Sequence, residues 1–284
     1  MATLAKVDFW FEYASPYSMI SALRLFRSLS DKTHPDSEML QGLSGCQLPD
    51  LEGVRIMYRP MFLGAVFKAA GQQIMPNIQV PVKGKYLFHD VRRSLDLLGC
   101  PGFPAGRPAN WPPNTVLPGR VTWMLAQGFD YIRALDRGDD APQESANSTQ
   151  LSQAQTRVLA EFVWQIFEAE FIAGKDIGSP VVVSQIWDAC VAGSVPKGED
   201  GALPDGKQAV ALASQQTVKD GFRSSTQAAI DASLFGAPSF TTEDGDMYWG
   251  NDRLIDAVTH HKHRKLLSQS AGFSIKAKAG SPSM

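Results

Sequence analysis

The segment at residues 6–26 reads KVDFWFEYASPYSMISALRLF and carries two different patterns on either side of a short turn. Its first part, Lys6 to Phe11, has the aromatic and β-branched content of a buried strand. From Ser18 to Phe26 the apolar residues recur at helical spacing. The tetrapeptide Ser15-Pro16-Tyr17-Ser18 therefore lies at a strand-to-helix turn, with Ser15 as the N-cap and Pro16 in the first helical position.

A helix that begins in this way presents unpaired N–H groups and a partial positive charge, which favour an anion or a thiolate. The two serines stand where a thioredoxin-type Cys-Pro-x-Cys site carries its cysteines. Without thiols at these positions the chain cannot exchange a dithiol for a disulfide there. A serine hydroxyl can nevertheless donate to the thiolate of a bound ligand. The other interpretation is an ordinary N-cap, which needs no ligand.

Composition and charge exclude several classes of function. The chain has 284 residues, 44% of them hydrophobic, and a formal net charge of −2, which is ordinary for a soluble globular protein and argues against a nucleic-acid partner. No apolar run reaches the roughly 18 residues of a membrane helix, and the first residues are too few for a secretion signal. Cys46, Cys100 and Cys190 are scattered, which predicts no disulfide framework, no metal site and a reducing location, in the cytoplasm or an organelle lumen.

Two later segments complete the pattern. Residues 234–249 indicate a β-hairpin around Asp244-Gly245, and Gly236-Ala237-Pro238-Ser239-Phe240 lies just before its first strand. Gly250-Asn251-Asp252-Arg253 then opens the last helix, with Asn251 as N-cap and Asp252 in the first turn. Taken alone, this turn is a plain helix cap.

Together these three motifs, in this order, resemble the kappa-class glutathione transferases and their relatives, the 2-hydroxychromene-2-carboxylate isomerases. The resemblance implies an α/β, thioredoxin-like fold with a large helical insertion domain. It places the first part of the thioredoxin-like domain at residues 1–82, with a surface insertion at about 28–53. The helical domain follows at 83–215, the second part of the thioredoxin-like domain at 216–267, and a mobile tail at 268–284.

The resemblance also implies glutathione as the cofactor. In these families the first serine of the motif faces the glutathione sulfur, which makes Ser15 the candidate catalytic residue. The candidate cofactor-binding residues are Tyr17, Lys83, Ala237, Pro238, Asn251 and Asp252. A cis peptide at Pro238 would leave the backbone groups of Ala237 free to pair with an extended peptide. Lys83 begins a Lys-x-x-Tyr-x-x-x-Asp run, and it can equally be read as a solvated cation.

The activity implied is a glutathione-dependent isomerisation of a conjugated aromatic or enone substrate, by reversible thiol addition in a homodimeric enzyme. Leu-Gly-Ala at 63–65 and Pro-Pro-Asn at 112–114 favour isomerase over transferase. The alternatives are a kappa-class glutathione transferase or peroxidase, and a non-catalytic binding protein of the same fold. Trp111 lies within a proline-rich loop, from Gly102 to Gly119, that either walls an apolar substrate pocket or packs against a helix. The tract from His260 to Lys265 is interpreted as structural, in the last turn of a helix.

Overall fold

The computed structural model describes residues 4–30, 47–72, 75–100, 102–103, 107–139, 151–192 and 202–271. Within them four strands form one mixed sheet: β1 (Ala5–Phe11), β2 (Val54–Pro60), β3 (Ser239–Thr242) and β4 (Met247–Trp249). The strand order is β2-β1-β3-β4. Strand β1 pairs parallel with β2 and antiparallel with β3, and β4 continues the sheet antiparallel to β3.

Helix α1 (Pro16–Ser30) follows β1 directly, and α11 (Leu254–Ala271) ends the described chain after a short 3₁₀ turn at Asn251–Arg253. The other described helices all lie between β2 and β3, so the predicted helical insertion is present. They are α2 (Leu63–Ala69), α3 (Pro76–Gln79), α4 (Pro81–Leu97), α5 (Val116–Ala126), α6 (Phe129–Arg137), α7 (Gln153–Phe171), α8 (Pro180–Trp187, continued by a π turn at Asp188–Ala192), α9 (Gly206–Leu212) and α10 (Gln216–Asp231).

The central strand β1 buries one face along its whole length, whereas on the other face Lys6 and Asp8 are half-buried and only Trp10 is buried. On one face Phe9 stacks on Phe240 of β3, with ring centroids 5.4 Å apart, and Phe11 lies 6.1 Å from Phe167 of α7. On the other face Trp10 packs against apolar residues that include Leu234, just after α10. The sheet and the helical insertion therefore share a large core on one face of β1 and a smaller apolar cluster around Trp10 on the other.

From the sequence, a single helix is expected at residues 120–134 and another at 207–232. The structure divides the first into α5 and α6 at Gly128, whose φ of 96° is open to glycine and unfavourable for other residues. It divides the second into α9 and α10 by a turn at residues 213–215. Of the predicted surface insertion at 28–53, residues 31–46 lie outside the described part.

The histidine-rich tract lies in the middle of α11, so its predicted place in the last turn is wrong: the helix continues to Ala271. Its side chains hold the turn between β3 and β4. Buried His261 lies 3.4 Å from Glu243 and 3.5 Å from Asp244, and the Lys265 ammonium lies 2.7 Å from Glu243. The first four residues of the predicted tail, from Ser268, continue this helix. Among the described helices, none is both long and apolar enough to cross a membrane.

Candidate active site at the Ser15 turn

Ser15 is the residue at which β1 passes into α1, and its hydroxyl makes two hydrogen bonds. The oxygen accepts from the backbone N–H of Ser18 at 3.2 Å, which is the bond expected of an N-cap. The same hydroxyl donates to the carbonyl oxygen of Ala237 at 3.0 Å. Ser15 is only 7% exposed. The predicted cap is confirmed, and the hydroxyl also ties the helix end to the Pro238 loop.

Both polar backbone groups of Ala14, the residue before Ser15, are held by side chains. Its N–H donates to the buried Glu12 carboxyl group at 2.7 Å, and its carbonyl accepts from the Trp111 indole N–H at 2.8 Å. Burial raises the pKa of Glu12 to about 7, although hydrogen bonds from Thr115 and from the Ala14 N–H lower it. The turn that presents Ser15 is therefore fixed before any ligand arrives. Glu12 was not predicted from the sequence, although a carboxyl group ending an apolar strand was a visible signal.

Trp111 resolves one of the alternatives left open by the sequence. Its ring is buried and meets Phe88 edge-on, with centroids 5.4 Å apart. The indole is buried, and its N–H donates to the Ala14 carbonyl inside the protein. Trp111 therefore does not wall a substrate pocket. The helix-packing interpretation of this loop is correct for Trp111.

The peptide between Ala237 and Pro238 is cis, as the resemblance implied. The Ala237 carbonyl is already engaged by Ser15, so the expectation that both of its backbone groups are free is wrong for the carbonyl. Its N–H has no acceptor among the described residues. The Pro238 carbonyl accepts from the Gly250 N–H at 3.0 Å, which joins the cis-proline loop to the turn before α11.

The turn before α11 places the neighbouring side chains of Asn251 and Asp252 in different environments. The buried side-chain oxygen of Asn251 accepts from Arg24 at 3.0 Å and from Ser21 at 3.3 Å, both on α1. Arg24 also donates to the Asn251 backbone carbonyl at 2.6 Å. By contrast, the Asp252 side chain is 61% exposed. Of the two predicted cofactor ligands, Asn251 has its side-chain oxygen bound by the protein, and Asp252 presents its carboxylate outward.

Tyr17, the third residue of the motif, is tied to helix α4. Its hydroxyl donates to Asp90 at 2.9 Å, and Asp90 also accepts from Tyr86 and Arg93. Burial and this bond to Asp90 raise the pKa of Tyr17. Burial pushes the pKa of Asp90 upward, but the bonds from Arg93 and Tyr17 and the Arg93 charge hold it below its usual value. A charged network therefore borders the site on this side.

These elements enclose a cleft of about 640 Å³ above the carboxyl end of β1. Five of the predicted cofactor-binding residues line this cleft: Tyr17, Ala237, Pro238, Asn251 and Asp252. Ser15 adjoins the cleft through its hydrogen bond to Ala237. The lining consists of Tyr17, Asp90, Ser94, Ala237, Pro238 and residues 249–253. Lys83 is exposed and does not line the cleft. It lies seven residues before Asp90 on the same face of α4, about 10 Å away along the helix axis.

The fold and this site define a class of protein. The chain belongs to the family of DSBA-like thioredoxin domains, whose model matches residues 6–104 and 140–260. Among solved structures, the chain is similar to a 2-hydroxychromene-2-carboxylate isomerase, with a TM-score of 0.56, 23% identity and coverage of 95% of this chain and 99% of that one. A probable DsbA oxidoreductase from Streptomyces coelicolor gives a TM-score of 0.51 at 11% identity, covering 98% and 94% of the two chains.

Two curated proteins to which the chain is similar are named by their activity. The chain is 24% identical over 252 residues to the 2-hydroxychromene-2-carboxylate isomerase of Pseudomonas putida, covering 88% of this chain and 90% of the relative. It is 30% identical over 101 residues to glutathione S-transferase kappa 1 of Caenorhabditis elegans, which is 36% of this chain and about a third (35%) of that relative's length. The resemblance predicted from the three motifs is confirmed.

Proposed function

We propose that this protein is a glutathione-dependent isomerase of a conjugated aromatic or enone substrate. The observation that carries the proposal is the bond between the Ser15 hydroxyl and the Ala237 carbonyl. It brings a hydroxyl donor and a helix N-terminus against a cis-proline loop, at positions where a redox enzyme would have cysteines. Such a site suits the thiol of a bound peptide and has no thiol of its own in the motif.

An extended tripeptide with a central thiol fits the groups around the cleft. The Ala237 N–H, which has no acceptor among the described residues, is available to the peptide backbone of the ligand's cysteine. The exposed Asp252 carboxylate suits the ammonium of the γ-glutamyl residue. Lys83 lies outside the cleft lining, and its ammonium is the candidate partner for a carboxylate of the ligand that extends beyond the cleft along α4. Asn251 and Tyr17, which already bond to Arg24 and Asp90, act by positioning the walls of the cleft.

Glutathione, when bound, would supply a thiolate for reversible addition to the conjugated carbon of the substrate. While the thiolate is attached, the substrate's carbon–carbon double bond is a single bond and can rotate, and loss of the thiolate restores the double bond. Ser15 favours the thiolate by donating its hydroxyl proton in a hydrogen bond, and the N-terminus of α1 adds a favourable field. To do so, Ser15 must release the Ala237 carbonyl, which then accepts an N–H from the ligand. The same hydroxyl serves the attacking and the leaving sulfur, and no net proton transfer to Ser15 is required.

The second candidate is a glutathione transferase, which the similarity to glutathione S-transferase kappa 1 favours. The two activities differ in whether glutathione is consumed. A time course with a benzylidenepyruvate-type compound and a small fraction of an equivalent of glutathione separates them. Many turnovers per glutathione support isomerisation, whereas product formation that stops at one glutathione per conjugate supports the transferase. If neither the isomer nor the glutathione conjugate forms when glutathione is added, both candidate functions are contradicted.

A further inference from the structure

We propose that Trp249 is the aromatic wall that binds the second substrate, the flat electrophile. This inference rests on the proposed function for the identity of that substrate, and on the structure for the surface itself. Trp249 ends β4, pairs with Ser239 next to the cis-proline, and lines the cleft beside Pro238. Tyr17, the other aromatic residue of this lining, packs against the core and is tied to Asp90 through its hydroxyl.

Trp249 differs from the other tryptophans in its exposure. The remaining five, all in the described part of the chain, are at most 8% exposed, whereas Trp249 is 54% exposed. They are Trp10, Trp111, Trp123, Trp164 and Trp187. A half-exposed indole leaves a large apolar surface in water, and a ligand that covers it gains the free energy of that burial.

The indole is also held in place. Its ring meets Phe235 edge-on, with centroids 4.9 Å apart at an angle of 66°. It lies directly against the backbone of Gly236, where a Cβ atom would come within 2.4 Å of the indole nitrogen. Gly236 therefore permits a close approach that no other residue would allow. A rigid, open aromatic face favours a planar conjugated ring over a puckered or flexible group.

Neighbouring Met247 provides a matched control. It is 38% exposed, belongs to the same short strand and has the same orientation in the pleat as Trp249. Met247 lines a different cleft, of about 700 Å³, together with Asp8 and Arg59 on the sheet. Replacing it removes a comparable apolar side chain without changing the wall beside Pro238.

The first experiment needs no turnover. Acrylamide should quench Trp249 emission in the wild type, and 3-phenylpropionate should protect it, while 3-cyclohexylpropionate protects it less. The Trp249→Leu variant should lose the quenchable component, and Met247→Ala should keep both quenching and protection. Trp249 that acrylamide does not reach, as when a second copy of the chain covers it, would overturn the inference. So would equal protection by both acids, or none by either.

The second experiment uses the benzylidenepyruvate-type substrate. Trp249→Leu and Gly236→Ala should raise its KM about three- to tenfold while the KM for glutathione stays within about twofold, and Trp249→Phe should restore most of the affinity. An unchanged substrate KM in Trp249→Leu overturns the inference and leaves the proposed function intact. If the wild type shows no turnover at all, the proposed function fails, and the protection result still decides whether Trp249 binds a planar ring.

Discussion

The Ser15 hydroxyl donates to the Ala237 carbonyl at 3.0 Å, although the two residues are 222 positions apart in the chain. Because that hydroxyl has one proton, it cannot donate to Ala237 and to a ligand sulfur at the same time. In the proposed site, binding of a thiol ligand would therefore exchange one bond for two: Ser15 would turn to the sulfur, and Ala237 would accept from the ligand backbone. Such an exchange would favour a ligand that provides both groups.

Replacing Ser15 with alanine should separate thiolate stabilisation from affinity. The variant loses the donor to the sulfur, so the pKa of the bound glutathione thiol should rise by about 1–2 units towards its free value. Affinity should change only a few-fold, because the Ala237 carbonyl becomes available to the ligand without displacing Ser15. Thiolate absorbance in the ultraviolet, followed against pH, measures this.

Ser18→Ala is the matched control for that measurement. It removes the second motif hydroxyl, which is fully buried and has no hydrogen-bond partner among the described residues, and it keeps the Ser18 N–H that bonds to Ser15. Its bound thiol should titrate as in the wild type. Equal thiol pKa values in Ser15→Ala and the wild type would show that Ser15 is only a helix cap.

Asp252→Ala should weaken glutathione binding at least tenfold, since the variant removes the exposed carboxylate assigned to the ligand ammonium. Asp256 is a close control, because it lies one helical turn further on and is also exposed. Arg253 lies 3.9 Å from Asp252 and 2.8 Å from Asp256, so both carboxylates have the same charged neighbour. Asp256→Ala should bind as the wild type does. Competition with a glutathione analogue that lacks the ammonium would report the same contact, because that analogue should not distinguish Asp252→Ala from the wild type.

Glu12→Gln should change how stability depends on pH. The folded-state pKa of Glu12 is raised from 4.5 to about 7. The stabilisation that this group contributes is therefore complete below pH 4.5 and is lost as the pH rises through 7. At about 1.4 kcal/mol per pKa unit, the loss in the wild type is at most roughly 3 kcal/mol.

The glutamine variant keeps an acceptor for the Ala14 N–H and has no charge to bury. The difference in unfolding free energy between Glu12→Gln and the wild type should therefore grow between pH 4.5 and 8, in favour of the variant. Denaturant titrations at several pH values measure it. A difference that is constant with pH would mean that Glu12 is not protonated in the folded protein near neutrality.

Arg24→Leu should destabilise the turn before α11 without touching the ligand. The change removes two hydrogen bonds from one guanidinium nitrogen to Asn251 and one from Nε to the Gln47 carbonyl, at 2.6–3.0 Å, so these carbonyl groups lose a buried donor. We expect a loss of about 2–4 kcal/mol in unfolding free energy, together with weaker glutathione binding. Arg253→Leu, in the same turn but on the surface, should leave stability unchanged within error. Equal effects of the two substitutions would contradict the anchoring role of Arg24.

The residues predicted from sequence are those whose roles are local. Ser15 as a cap and Pro238 before a strand are recognisable because the neighbouring pattern defines the backbone around them. Asn251 was predicted as a ligand, but its side chain is bound by Arg24, a residue that only the folded chain brings near. Trp111 and Trp249 show the same limit: both are large aromatic residues beside a proline or glycine, and only tertiary packing buries one and exposes the other.

The most direct test of a glutathione thiolate site is calorimetric titration with glutathione at neutral pH in two buffers of different ionisation enthalpy. A free thiol titrates near pH ~8.5, so stabilising the bound thiolate requires release of most of one proton on binding. We predict saturable binding with that proton release in the wild type, and similar binding with little proton release in Ser15→Ala. Binding without proton release in the wild type, or no heat at millimolar glutathione, would contradict the account.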